Sequence, residues 1–184
     1  MGHASVSFAL EKSEAVHKVS IIPRGIGAIG FTMRRPTEDQ YLINKEDLEK
    51  KISVLLGGRA AETIFLNKIS TGAADDFDKA TDIARTMITR YGMSDVLGLL
   101  SYDRATTPFL DQRILSRSHD YSEKTAEAID AETRKIINQS FDTAVNTIQK
   151  HRHFLEEGVA LLMERETLDE ENLKELWRKS SITL

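Results

Sequence analysis

The sequence predicts a mainly α (α+β) fold: a helical body with a small β-sheet and an edge strand, closing in a C-terminal antiparallel helix bundle. Three observations lead there. Apolar residues recur at intervals of three and four over several long stretches, the period of a helix with one buried face. Only 3 prolines and 10 glycines punctuate the 184 residues, and beyond Pro108 there is a single glycine, Gly158, and no proline. Long unbroken helices are therefore expected in the second half. Near the N-terminus, two short β-branched segments read as extended instead.

The first strand is expected over Val16 to Ile22, where Val19, Ile21 and Ile22 are β-branched and Pro23-Arg24-Gly25 ends the run. A second extended segment is expected from Ala28 to Met33, closed by Pro36. Leu48, Ile52, Leu55, Ala61 and Ile64 give Glu46 to Phe65 a helical period, interrupted at Gly57-Gly58. Phe77, Ala80, Ala84, Met87 and Tyr91 form one apolar stripe, with Gly92 as its C′ residue and Asp75, Asp76 and Asp78 offsetting the positive end of the helix dipole. A helix of roughly 25–30 residues starts near Ser122 and carries Ile137, Phe141, Ala144 and Ile148. Another covers Phe154–Met163. The last follows Thr167, whose hydroxyl with Glu170 spells a capping box.

Composition removes several function classes. With 40% hydrophobic and 29% charged residues the chain buries a core and is neither disordered nor collagen-like. No apolar run is long enough to span a bilayer, and residues 1–15 lack a secretory pattern, so direct membrane insertion is not expected. The absence of cysteine excludes disulfide scaffolds, thiolate zinc sites and cysteine nucleophiles. A net charge of -4 without a basic stripe argues against nucleic acid.

Local motifs carry little chemistry by themselves. Gly25-Ile26-Gly27-Ala28-Ile29-Gly30 spells G-x-G-x-x-G, but Phe31-Thr32-Met33-Arg34-Arg35-Pro36 follows where a dinucleotide site needs a helix. Gly57-Gly58-Arg59 lacks the spacing and lysine of a phosphate loop. Among His3, His17, His119, His151 and His153 no pair is four residues apart. His17 is expected to face solvent or a neighbour, and His151 and His153 a solvated helix junction. On spacing alone, His3 reads as a terminus, Asp75-Asp76 as dipole compensation and Glu62 as a surface carboxylate.

Several segments taken in order resemble the protease domain of the FtsH family, membrane-anchored AAA-type zinc metalloproteases. They are Gly2-His3-Ala4, His17 to Gly25, Gly30-Phe31-Thr32, Leu55 to Glu62, Ser70 to Asp76, Ala80 to Arg85, Tyr91 to Ser94, Tyr121-Ser122-Glu123 and Glu166-Thr167-Leu168. The likeness runs from residue 2 to about residue 178, and its order makes it specific.

The family's zinc site joins an H-E-x-G-H helix to an aspartate of a T-G-A-x-x-D segment. The resemblance implies that His3 is the second histidine, Asp76 the aspartate ligand, and Glu62 a carboxylate that orients a ligand. It implies that Ile29, Gly30, Phe31 and Thr32 belong to an edge strand against which an extended substrate pairs. Met1 falls on the x of the motif, so the first histidine and the general-base glutamate are expected before it, and no catalytic residue lies within the chain. Residues 1–110 are then the zinc metallopeptidase core, incomplete at its start, and residues 111–184 the helical bundle of the same domain. The implied parent is a homo-hexamer on the cytoplasmic side of a membrane, degrading unfolded or membrane proteins with ATP consumed in a separate ATPase domain. The chain alone is expected to bind zinc weakly and to be inactive. A non-catalytic helical oligomerisation module is the alternative.

Overall fold

A computed structural model describes residues 1–10, 14–22, 31–36, 42–66, 68–103 and 121–182. Helix α1 (Gly2–Leu10) comes first and is almost wholly enclosed, with Gly2, Ala4, Ser5, Val6 and Ser7 buried. Burial on several faces removes the apolar stripe, so periodicity gave no sign of this helix.

Strands β1 (Glu14–Ser20) and β2 (Phe31–Pro36) form an antiparallel pair, and β3 (Thr167–Asp169) joins the other side of β1, giving the order β2-β1-β3. Val19 sits opposite both Thr32 and Leu168, and a register shift falls between Val16 and Lys18. The first strand thus begins and ends two residues earlier than Val16 to Ile22. Met33 and Pro36 lie inside β2, whereas the Ala28 end of the expected segment, with Ile29 and Gly30, lies outside the described residues.

Helix α2 (Lys45–Ala61) is capped by Asn44, whose Oδ1 accepts from the Asp47 amide at 2.9 Å. It runs through Gly57-Gly58 without a break, contrary to the expected interruption, and continues as a π-helical turn over Glu62–Leu66. Each glycine costs a helix interior about 1 kcal/mol against alanine. The tertiary reason at Gly57 is a close helix crossing: a β-carbon there would stand 3.0 Å from the Gly2 carbonyl oxygen of α1 and 3.1 Å from Val6 Cγ2.

A 3₁₀ turn (Thr71–Ala73) leads into α3 (Ala74–Thr89), which buries Ala80, Ala84, Met87 and Ile88. Its cap is Arg90; Gly92, with φ +63°, lies two positions later, not at C′ as expected. Helix α4 (Glu123–Lys150) spans 28 residues from an N-cap at Ser122. Its most buried line is Ile129, Thr133, Ile136, Ser140, Ala144 and Ile148. Ile137 and Phe141 are only half-buried, because Thr133 and Ser140 take core positions; the Thr133 hydroxyl is satisfied by the Ile129 carbonyl at 2.7 Å.

Helix α5 (Arg152–Arg165) ends at Glu166, and α6 (Glu170–Ile182) follows β3. The expected capping box is not formed. Thr167 is held in β3 with its Oγ1 2.9 Å from Ser20 Oγ, and Asp169 Oδ1 accepts the Asn172 amide at 2.9 Å in its place.

One core gathers α2, α3 and α4 through Ile52, Leu56, Met87, Ile88 and Ile129. A second packs the sheet on α1, α5 and α6 through Val16, Val19, Ala4, Leu162, Leu168 and Leu173. A third joins α1, α2, α4 and α5 through Val6, Val54, Ala60, Ala144, Ile148 and Leu155. The expected boundary between residues 110 and 111 lies outside the described residues.

Candidate metal centre

The first turn of α1 carries His3, and the first turn of α3 carries Asp76. The chain folds so that His3 Nε2 lies 3.0 Å from Asp76 Oδ2, with both side chains about a quarter exposed, at 30% and 24%. Which of the two atoms donates is set by the imidazole tautomer. Neighbouring Asp75 is turned away to Lys79 Nζ at 2.6 Å.

Asp76 owes its place to the turn before α3. Ser70 caps it, its Oγ accepting from the Gly72 amide at 3.2 Å. Arg59, near the end of α2, donates from Nε to Glu62 Oε2 at 3.1 Å and from a terminal nitrogen to the Ser70 carbonyl at 2.8 Å. Its guanidinium also lies 4.8 Å from the centre of the Phe77 ring. Glu62 accepts from the Ser70 hydroxyl and amide. That hydroxyl above all, with the Ser70 amide and Arg59, holds the Glu62 carboxyl below the usual carboxylate range despite the opposing effect of partial burial. Glu62 therefore bears on Asp76 through Ser70 and has no direct hydrogen bond to either His3 or Asp76.

A groove of about 960 Å³ opens beside the pair. Val19, Ser20 and Ile21 of the β1 end and Thr32 of β2 form one bank; Asp75, Lys79 and Ile83 of α3 form the other. No strand covers the outer side of β2 among the described residues. Of the four expected strand residues, Phe31 and Thr32 lie on this edge, while Ile29 and Gly30 lie outside the described residues.

Two ligands of one tetrahedral zinc ion, each about 2.0–2.2 Å from it, stand about 3.4 Å apart. An imidazole nitrogen and a carboxylate oxygen have that chemistry, and at 3.0 Å, in hydrogen-bond contact, they need only part by a few tenths of an ångström to take a zinc ion between them, so the pair fits one. Among the described residues no group of three or more His, Cys, Asp or Glu side chains gathers for a metal ion.

The other histidines lie elsewhere. His17 faces a neighbour, its Nδ1 3.2 Å from Glu170 Oε2. His153 pairs with Glu157. His151 is less solvated than expected: its ring lies 4.5 Å from the Trp177 ring centre, and its Nδ1 is buried with no partner. Sequence reasoning missed Arg59 and Ser70 as the link to Asp76, and the signal for them was weak. Gly58, whose missing β-carbon leaves room for the Cε1 edge of the His3 ring, announced itself only as half of an unexplained glycine pair.

Comparison with known proteins places this geometry in context. The model of "Peptidase family M41" matches residues 1–176. An ATP-dependent zinc metalloprotease FtsH of Pseudothermotoga lettingae is 44% identical over 176 residues, covering 96% of this chain and 28% of the relative. Similar proteins of the same name occur in Syntrophobacter fumaroxidans, 45% identical over 95% of the chain and 27% of the relative, and in Thermotoga maritima, 39% identical over 95% and 29%. The chain thus spans under a third of the length of these relatives. With the family model matching nearly its whole length and a histidine–aspartate pair at a groove, the chain belongs to peptidase family M41.

Proposed function

We propose that these 184 residues form the peptidase portion of an ATP-dependent zinc metalloendopeptidase, with His3 and Asp76 as two of its zinc ligands. The observation that carries this is the 3.0 Å approach of His3 Nε2 to Asp76 Oδ2 beside a groove bounded by a sheet edge. Zinc in such a site supplies Lewis-acid polarisation of a peptide carbonyl and acidifies water. The chain's own residues hold and orient. His3 presents Nε2, Asp76 presents Oδ2, and Arg59, Glu62 and Ser70 keep the turn before α3 in place. The edge of β2 offers main-chain donors and acceptors to an extended peptide.

The relatives are named as ATP-dependent zinc metalloproteases, and the same proposal extends to protein substrates, unfolded or membrane-borne, and to a homo-hexameric parent at the cytoplasmic side of a membrane. The 184 residues contain no His-Glu pair to act as ligand and general base. Loss of a general base alone costs roughly 10²–10⁴ in rate, so the isolated chain is expected to be inactive and to hold zinc weakly. An assembly module without catalysis, in which the helices of the second half pair with neighbours, is the alternative reading.

Casein cleavage separates the two readings. A chain extended upstream to supply the His-Glu pair should cleave casein and lose that activity with either His3→Ala or Asp76→Ala. Zinc binding by the 184-residue chain should be weak and abolished by the same changes. Brisk cleavage by the 184-residue chain would overturn the inactivity, and an extended chain indifferent to both substitutions would overturn the metal assignment.

A further inference from the structure

Helix α2 carries adjacent glycines although neither has a positive φ. Gly57 is explained by the crossing with α1. Gly58 meets something different: a β-carbon there would stand 2.7 Å from His3 Cε1, 3.2 Å from Nε2 and 3.5 Å from Nδ1. The three atoms are Cε1 and the two nitrogens bonded to it, so the Cε1 edge of the imidazole occupies the space that a Gly58 side chain would need. We propose that Gly58 is a positioning residue of the candidate metal centre: its missing side chain is the seat of the His3 ring and aims Nε2 at Asp76. The proposal rests on the zinc reading of that pair and goes one residue beyond it.

The ring can yield to a Gly58 side chain, and what the yielding costs is its aim. Carbon atoms sit comfortably at about 3.5–4.0 Å, so a methyl group at Gly58 would push Cε1 away by about 1 Å, twice the ~0.5 Å tolerance of a working site. Helix α1 cannot back off as a body without opening its close crossing with α2, where neither Gly2 nor Gly57 has room for a β-carbon. The imidazole must therefore turn about its own torsions. Turning carries Nε2 off Asp76 Oδ2, now 3.0 Å away.

A thermodynamic cycle with Gly58→Ala, His3→Ala and the double variant tests this, using thermal melting and Co²⁺ titration followed by visible absorption. With His3→Ala in place, Gly58→Ala should raise the melting temperature by about 2–4 °C, since alanine is the better helix former and nothing opposes it. With His3 present, that gain should vanish or reverse. Co²⁺ affinity of the Gly58→Ala chain should fall about 10–100-fold. If Gly58→Ala does not fold alone but folds beside His3→Ala, the seat is supported. Equal thermal gains in both backgrounds, or failure to fold in both, would overturn it. Were the native chain to bind no Co²⁺, the zinc reading would be decided by the extended chain described above, and the thermal cycle would still decide whether Gly58 seats the ring.

Discussion

His3 and Asp76 are separated by 73 positions, and neither is notable in its own segment. What distinguishes them is who holds them: a glycine that leaves room for one, and a serine-capped turn tied to Arg59 and Glu62 behind the other. Glu62 makes that support visible to pH. Its folded carboxyl titrates below the ordinary 4.5, so the stability it contributes is complete above that value and is lost as pH falls through the folded pKa. Urea unfolding from about pH 5 to about pH 3 should therefore lose less stability in Glu62→Gln than in the native chain. His151 is depressed for a different reason, burial first and the Lys150 charge second. Its neutral form is favoured in the fold, so its contribution is complete above about 6.5 and declines as pH falls toward the folded pKa. The urea midpoint should drop between about pH 7 and about pH 5, and His151→Gln should blunt that drop.

At the scale of elements, agreement with the sequence follows from how each helix is solvated. Helices α3 and α4 have one wet face and one dry face, so spacing reveals them, and Ser122 caps α4 with its Oγ accepting from the Thr125 amide at 3.3 Å. Helix α1 is enclosed, so spacing conceals it. Thr167 had the right residue type for a cap, yet the β1–β3 pairing claimed it and Asp169 served instead. The junction of α5 and β3 stores a further consequence. Glu166 adopts φ +58° while its carbonyl accepts from the Ile21 amide at 3.0 Å, tying the end of α5 to the groove bank. A left-handed conformation costs a non-glycine residue about 1–2 kcal/mol, so Glu166→Gly should stabilise the fold, by about 1 kcal/mol after the added freedom of the unfolded chain. Thermal melting checks the sign.

For the whole molecule, α2 is the shared support. Its Leu48, Ile52, Leu55 and Leu56 pack against α3 and α4, while Val54 and Ala60 pack with α1 and α5. Ile52 is fully buried, so Ile52→Ala should cost about 2–5 kcal/mol, whereas Met163→Ala, at a side chain 74% exposed, should cost almost nothing. Because these cores mix residues from both sides of position 110, unfolding should be one cooperative transition by circular dichroism and by Trp177 fluorescence. Two separated transitions would show the halves to be independent.

The amino-acid sequence alone determined the mainly α class, the two-sided helices, two of the three strands and, through an ordered series of short motifs, the family. Those properties follow from local period and residue type, which act within a few positions. Tertiary structure alone decided that Gly57-Gly58 continue a helix, that Asp169 caps α6, that His3 and Asp76 meet, and that Glu62 is bonded to Ser70 and Arg59. Each of these depends on which distant backbone comes to lie against the residue, and no spacing within a single segment encodes that.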